Sequence, residues 1–475
     1  MDESTKIKQF LELSYAELEK LNLEARSITD SAQAEQIHIK YLRDEAHIKA
    51  VTVCFSDIEG RLHTLDYDKK FLLSSLDNLT FDGSSISGFS KQQESDLRLK
   101  LDWTSFTYVP SDVFGPGKVI IFANVCNRDF TPYAADFRGQ LQAYLEHIKA
   151  KDGLTAYMAP EIEGFLLNGV DAEQQFSAQT GFTLVSTGGY FHSLPLDDLR
   201  RFIDKTAEAQ RAMGFKNEKD HPEVAPSQFE INFSYADVLR ACDQVQLYKL
   251  VCRQIAMSMG MTATFLPKPV QGINGSGMHL NFSLGKNGKN IFYDEKGPDR
   301  LSAVAWGFID KILNRAPDIC LILNSSVNAY RRLDPHFEAP NQIKVSANDR
   351  GSMIRIPFGN ENSARIEIRS VAPDTNPYPA MLAILKTGLE DKAPASEEDK
   401  RPRLRFLPDS IQDAIRLFKG SDYVTKMLGE EVKEKYLERK QAVANRNPRE
   451  LGTTVKASEV IYHHEVTNQY LWSQF

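Results

Sequence analysis

Four short clusters in this chain carry side chains that could do chemistry together. Glu161-Ile162-Glu163 lies in a run that reads as a strand, where residues two apart share a face, so both carboxylates project together. The segment His221-Pro222-Glu223-Val224-Ala225-Pro226-Ser227-Gln228-Phe229-Glu230 holds two more. Their odd separation would put Glu223 and Glu230 on opposite faces of one continuous strand, and Pro226-Ser227 supplies a break that could restore a common direction. Asn274-Gly275-Ser276-Gly277-Met278-His279 is a flexible glycine turn entering a strand that carries an imidazole. Arg365-Ile366-Glu367-Ile368-Arg369 places opposite charges on one strand face. Singly, each cluster has an ordinary explanation in a sheet edge or a plain ion pair. Together, five glutamates and one histidine are enough to hold two or three divalent cations without any cysteine. Oxygen-rich sites of this kind suit Mg²⁺ or Mn²⁺, completed by nucleotide phosphates.

Arginine is the second signal. Arg332, Arg350, Arg355 and Arg369 lie within 38 residues, beside the Glu367 strand. Guanidinium forks bind carboxylates and phosphates in bidentate fashion, so this concentration points to an anionic substrate and a triphosphate. The chain has no P-loop lysine motif and no dinucleotide glycine fingerprint after a strand. Metals and arginines would therefore have to hold the phosphates. No G-x-S-x-G elbow occurs, which disfavours an acyl-enzyme hydrolase.

The elements that must position these residues fall into three stretches. Residues 1–45 read as helical and charged, with Phe10, Leu11, Leu13, Leu18, Leu21 and Leu23 on imperfect helical spacing. They could cap the protein, meet a neighbouring subunit, or form a solvated extra helix. Residues 46–130 suggest a small β-rich domain, with strands at 50–57, 61–65 and 119–125 and a turn at Glu59-Gly60. From 131 to 475, strands such as 155–159, 164–167, 278–284, 352–356 and 365–369 alternate with helices such as 133–150, 196–213 and 236–259. Helix resumes over 408–442, the segment 393–400 reads as a loop, and the tail ends Tyr470-Leu471-Trp472. Polar residues at alternate strand positions fit a half-buried sheet with a polar face, or a sheet whose open face lines a site.

At 475 residues, with 42% hydrophobic and 25% charged residues, the chain is ordinary for a globular protein and too long for a single core. A net charge of −7 without a basic stripe argues against nucleic-acid binding. Five cysteines without a CxxC pair support neither a disulfide framework nor a zinc site. No apolar run approaches a membrane span and no signal-peptide pattern opens the sequence, so a cytoplasmic setting is expected.

Read in order, the clusters resemble glutamine synthetases of the bacterial and archaeal type, from about residue 45 onward. Asn78-Leu79-Thr80-Phe81-Asp82-Gly83-Ser84-Ser85 resembles that family's Asp-Gly-Ser-Ser loop, and Thr187-Gly188-Gly189-Tyr190-Phe191 is similar to its Gly-Gly-Tyr-Phe segment. The resemblance implies an α+β fold, with a small N-terminal β-grasp domain and a large catalytic domain with a curved antiparallel sheet flanked by helices. It implies ATP-dependent joining of ammonia to L-glutamate through a γ-glutamyl phosphate. Metal ligation would fall to Glu161, Glu163, Glu223, Glu230, His279 and Glu367. Glutamate would meet Asn274, Gly275, Arg332 and Arg369, and the nucleotide would meet Glu218, Ser283, Arg350 and Arg355. Arg350 would also serve catalysis. Asp82 would bind ammonium and help deprotonate it across a subunit interface, with Ser85, Tyr190 and Glu223 in the same pocket. Glu338 resembles a mobile flap acid. The implied assembly is a dodecamer of two hexameric rings with shared sites.

Three departures stand out. The family usually has a second histidine where this chain has Asn281, and often a lysine where Asn360-Glu361-Asn362 stands. Both remove potential positive charge near the nucleotide. The Asn-Leu-Tyr adenylylation motif of one branch is absent, and the seven-residue step from Glu223 to Glu230 suits the branch without it. Two alternatives stay open: a γ-glutamyl ligase acting on a polyamine or alkylamine, and a non-catalytic regulatory or structural homologue.

Overall fold

A run of small and β-branched residues, Ala50–Ser56, forms β1, buried along almost its whole length because strands flank it on both sides. The expected turn at Glu59-Gly60, with Gly60 at a φ of 91°, returns the chain into β2 (Leu62–Asp68). β3 (Thr80–Asp82), β4 (Asp96–Tyr108) and β5 (Lys118–Cys126) complete a five-stranded sheet in the order β2-β1-β5-β4-β3. β1 and β5 are parallel and every other pair is antiparallel, giving the mixed sheet of a β-grasp unit. The computed structural model describes residues 9–86, 88–176, 179–193, 195–334, 337, 339–391 and 405–445. Glu338, the expected loop at 393–400 and the tail at 470–472 lie outside these.

The second sheet runs β13-β14-β15-β11-β6-β8-β7 and curls around its long central strands. Its members are β6 (Leu154–Asn168), β7 (Asn217–Pro222), β8 (Gln228–Phe233), β11 (Met278–Lys286), β13 (Gln342–Ser346), β14 (Ser352–Arg355) and β15 (Ile366–Ile368). Short β9 (Ala236–Asp237) and β10 (Met261–Thr264) pair with β6, and β12 (Lys289–Asn290) with β11. Among the described pairs of this sheet only β13–β14 is parallel. The strands expected at 155–159 and 164–167 are thus one strand of 15 residues. Helices Val238–Ser258, Ala303–Leu323 and Pro377–Glu390 supply much of the core behind it. The stretch expected to be helical over 408–442 is three helices, Ile411–Lys419, Asp422–Leu428 and Glu430–Asn445.

Buried polar contacts lock the two sheets together. Arg138, on helix Phe137–Asp152, donates to Asp102 of β4 (2.8 Å) and to both carboxylate oxygens of Asp243 (2.9 and 2.7 Å) on helix Val238–Ser258. Gln246, one turn further along that helix, donates to Ser56 Oγ and Gly60 O, both at 2.9 Å. Glu59, in the β1–β2 turn, meets Arg61, Arg439 and Lys440, so the helix Glu430–Asn445 is tied to the small sheet.

Residues 9–45 are not a solvated appendage. They form two capped helices, Tyr15–Ser27 behind a Ser14–Glu17 capping box and Ser31–Asp44 behind Asp30. Buried Asn22 donates to Tyr108 O and Ala212 O (both 2.8 Å) and accepts from Tyr108 N (2.9 Å), joining β4 to the end of helix Asp198–Ala212. His38 stacks on Phe106, with ring centroids 4.2 Å apart and planes 7° from parallel.

Asn22→Ala leaves three buried backbone partners unpaired and is expected to cost about 2–3 kcal/mol. Faster amide exchange in residues 15–27 and along helix Asp198–Ala212 is the measurement. Burial pushes the His38 imidazole down to about 4. The unfolded chain then binds more protons than the folded one between about pH 6.5 and pH 4, so this contribution is complete above that window and is lost on acidification through it. His38→Gln should flatten that part of the stability–pH curve; an unchanged slope would contradict the assignment.

Candidate active site

Strand register assembles the site. Glu163 of β6 faces Glu230 of β8, and Glu230 faces His221 of β7 on its other side. Glu161 faces His279 of β11, while Glu367 of β15 lies between Asn281 of β11 and Arg355 of β14. Side chains from six adjacent strands therefore meet on one face of the sheet. They line a cavity of about 240 Å³ that also takes Tyr190, Glu223, Asn274, Gly275, Arg332, Arg350 and Arg369.

Local structure explains how Glu223 and Glu230 share it. Ser227 adopts a left-handed φ of 63°, an uncommon conformation for a residue with a side chain, and this kink provides the break expected at Pro226-Ser227. Its hydroxyl offsets the strain by accepting from Val185 N (2.8 Å) and Ser186 N (2.9 Å). The glycine turn is equally constrained. A Cβ on Gly275 would lie 2.5 Å from Pro267 O and 3.1 Å from Arg332 Cγ, so only glycine lets the guanidinium stem pass this close.

Two groups of ligand-type atoms, Glu161–His279–Glu367 and His221–Glu223–Glu230, each fall within 4.8 Å of one another. Burial opposes ionisation of Glu161, yet hydrogen bonds from His279 and Asn281 outweigh it and hold its carboxyl at about 2. The other group is strained in charge. Burial, then the charge of Glu163, pushes Glu223 up to about 7. Burial, then Glu163, Glu161 and Glu223, drives Glu230 well above the usual range. A divalent cation would offset that repulsion, and a donor set of carboxylate oxygens and imidazoles without sulfur suits Mg²⁺ or Mn²⁺. The residues present fit such ions.

Arginines are interleaved with these carboxylates. Buried Arg332 donates to Arg369 O (2.9 Å) and Val371 O (3.3 Å); burial lowers it to about 10, so it stays charged at neutral pH. Arg355 and Arg369 grip the two oxygens of the fully buried Glu367. A second, wider cavity of about 560 Å³ adjoins the first and is lined by Glu218, Ser283, Tyr157, Tyr235, Asn281 and Arg365. Glu161, Lys219 and Asn232 border both cavities.

The chain matches two family models: the β-grasp domain of glutamine synthetase over residues 47–128, and its catalytic domain over residues 134–455. The chain belongs to the glutamine synthetase family. A glutamine synthetase of Methanosarcina mazei is 38% identical over 412 residues, covering 83% of this chain and 90% of the relative. One of Thermotoga maritima is 36% identical, covering 84% and 93%. The cryo-EM structure of Plasmodium falciparum glutamine synthetase superposes with a TM-score of 0.77 over 91% of this chain and 98% of that one. Its 21% identity speaks for the fold alone.

Within this family member, the cavities collect most of the residues singled out by sequence. Asp82 and Ser85 are the exceptions, since they line neither cavity. Asp82 lies at the end of the edge strand β3, exposed, accepting from Ser84 N (2.9 Å), Ser84 Oγ (2.6 Å) and Ser85 Oγ (2.7 Å). Those hydrogen bonds, Ser84's first, hold its carboxyl below the usual range. Tyr190 and Phe191 stack at 3.8 Å, both about half exposed, at the cavity mouth. Sequence reasoning missed Lys219, His221, Gln228 and Asn232. Gln228 and Asn232 flank Glu230 at two-residue steps, so the alternation that paired Glu161 with Glu163 could have found them.

In chelator-treated protein, Glu230→Gln should relieve the carboxylate crowding and raise stability by about 1–2 kcal/mol. The same variant should lose most of the stabilisation that Mg²⁺ confers on the wild type. Thermal melts with and without Mg²⁺ test both halves; an undiminished Mg²⁺ effect would count against Glu230 as a ligand.

Proposed function

We infer that this chain is a carbon–nitrogen ligase that joins ammonia to the γ-carboxylate of L-glutamate at the expense of ATP, yielding glutamine, ADP and phosphate. The observation that carries the reading is one cavity that gathers five glutamates and His279 with Arg332, Arg350, Arg355 and Arg369, in a chain of this family. A carboxylate is a poor electrophile because its leaving group would be oxide. Attack by a γ-carboxylate oxygen on the terminal phosphorus of ATP, breaking the bond to ADP, makes an acyl phosphate. The nitrogen lone pair then adds to the acyl carbon, and phosphate leaves with the C–O electron pair.

Arg332 and Arg369, beside Asn274 and Gly275, orient glutamate by its carboxylates. Arg350 and Arg355 reach the phosphates from the loop and strand that follow, and Arg350 favours charge building on the transferred group. Glu218 and Ser283 hold the nucleoside in the wider cavity. Glu161, Glu163, Glu223, Glu230, His279 and Glu367 hold divalent ions, which when bound neutralise polyphosphate charge. Glu338 acts as a flap acid that keeps water from the acyl phosphate.

Ammonium must lose a proton before it can attack. Asp82, kept ionised by its serine hydrogen bonds, attracts the cation together with Ser85, Tyr190 and Glu223. Because Asp82 is exposed and lines neither of its own chain's cavities, we assign it to the cavity of a neighbouring copy, in keeping with a dodecamer of two hexameric rings. No helix among the described residues is long and apolar enough to cross a membrane.

Asp82→Ala is expected to raise the ammonium KM by at least tenfold while leaving the ATP KM within about twofold. Glu367→Ala should abolish glutamine formation. At ammonium concentrations well below that raised KM, co-refolding the two impaired variants should restore part of the activity, because some interfaces then combine an intact loop with an intact cavity. Mixtures no more active than their parents would overturn the shared site. Phosphate release unaffected by glutamate and ammonium would overturn the ligase reading itself.

A further inference from the structure

Two asparagines mark the boundary between the cavities, one for each group of ligand-type atoms. Asn232 follows Glu230 by two residues on β8, and its Nδ2 donates to Glu230 Oε1 at 2.6 Å. Asn281 follows His279 by two residues on β11, and its Nδ2 donates to Glu161 Oε1 at 3.0 Å. Both are almost fully buried, at 4% and 5% exposure. Their carbonyl ends differ. Asn281 Oδ1 accepts from Arg365 Nε at 2.7 Å, whereas Asn232 Oδ1 is buried with no partner among the described residues. Asn232 borders both cavities.

The terminal torsion of a glutamate is broad and roughly two-fold, so a lone carboxylate in a wide cavity does not choose which oxygen it presents. An amide N–H on one oxygen removes that freedom and leaves the other facing the cluster. For Glu161, Oε1 is held by Asn281 while Oε2 faces His279 Nδ1 at 3.5 Å. An amide does this without charge, so it neither competes for the cation as a further carboxylate would nor repels it as a lysine would. Asn281 also anchors Arg365, which lines the wider cavity, and so fixes a cation of the nucleotide side relative to a carboxylate of the metal side.

We propose that Asn232 and Asn281 are a matched pair of positioning residues, each aligning one carboxylate of a different divalent-cation group. The proposal rests on the reading of Glu161–His279–Glu367 and His221–Glu223–Glu230 as those groups. The departure from histidine at position 281 then has a positive content: the residue there orients a ligand and a guanidinium at once, through opposite ends of one amide.

The test is Mn²⁺ titration of the assembled, full-length protein, following free Mn²⁺ by EPR, with Glu161→Gln and Glu230→Gln to assign the two classes of site. Asn281→Ala should weaken the class that Glu161→Gln weakens by ~10–100-fold, the usual range for loss of a group that orients a metal ligand, and leave the other within about twofold. Asn232→Ala should do the reverse. Unchanged affinities in both variants, or both classes weakened together alongside a lower metal-free melting temperature, would overturn the proposal and leave the amides a purely structural role. A wild type that binds no Mn²⁺ would overturn the reading of the carboxylates, and the proposal with it.

Discussion

Everything in this molecule turns on the mutual repulsion of carboxylates gathered on one face of a sheet. Glu163 and Glu230 are direct cross-strand neighbours, and like charges directly opposite destabilise a strand pair. Burial worsens this by removing the water that would screen them. A sheet under selection for stability alone would not keep such a rank. A divalent cation held between β8 and β6 would relieve that repulsion, and the upward push on Glu223 and Glu230 expresses the same crowding electrostatically.

The scaffold manages the repulsion with neutral donors on one side and fixed cations on the other. Gln228 Nε2 and Gly277 N both approach Glu163 Oε2, at 3.4 and 2.8 Å, and the two asparagines hold Glu230 and Glu161. Glu367 is neutralised by Arg355 and Arg369. The site is therefore graded, from a carboxylate-rich rank at β7–β8–β6 to a guanidinium-balanced rank at β15–β14. That gradient suits a reaction whose reactants are a polyphosphate with its cations and an amino acid with two carboxylates. Binding such partners relieves charge at both ends, so the same frustration that weakens the empty fold strengthens the loaded one.

Much of this grading was legible in the sequence because a strand repeats every two residues. Glu161 with Glu163, and Arg365, Glu367 and Arg369 on their short strand, declare a shared face without any knowledge of their neighbours. What a single strand cannot declare is who stands across from it. His221, Lys219 and Asn232 enter the site only through the β7–β8–β6 register, set by contacts between segments far apart in the chain. β6 was hard to read for a related reason. Pro160 argues for two short strands, since proline lacks the ladder donor. It is tolerated because one edge of β6 is bare there: β9 pairs with Tyr157 and Met158, β8 begins only at Glu163, and the cavities meet beside the gap. The helical character of residues 15–44 was likewise plain, but its purpose was not. Asn22 binding two distant backbone segments leaves no periodic trace.

The same buried contacts decide what the small sheet can and cannot do. Arg138 between Asp102 and Asp243, Gln246 on the β1–β2 turn, and Glu59 beneath Arg439 and Lys440 fasten that sheet to the helices behind the large one. Breaking a buried, hydrogen-bonded ion pair costs roughly 3–5 kcal/mol, so several such links rule out a hinge in which the sheet swings its edge across its own cavity. Asp82 lies on that edge, already satisfied by Ser84 and Ser85 and turned to solvent. A rigid platform that presents an ionised carboxylate outward is poorly made for serving its own chain and well made for serving another. Rigidity here converts an exposed acidic loop into an argument about assembly: the firmer the two sheets are joined, the more completely any role for Asp82 in the chemistry depends on a second copy.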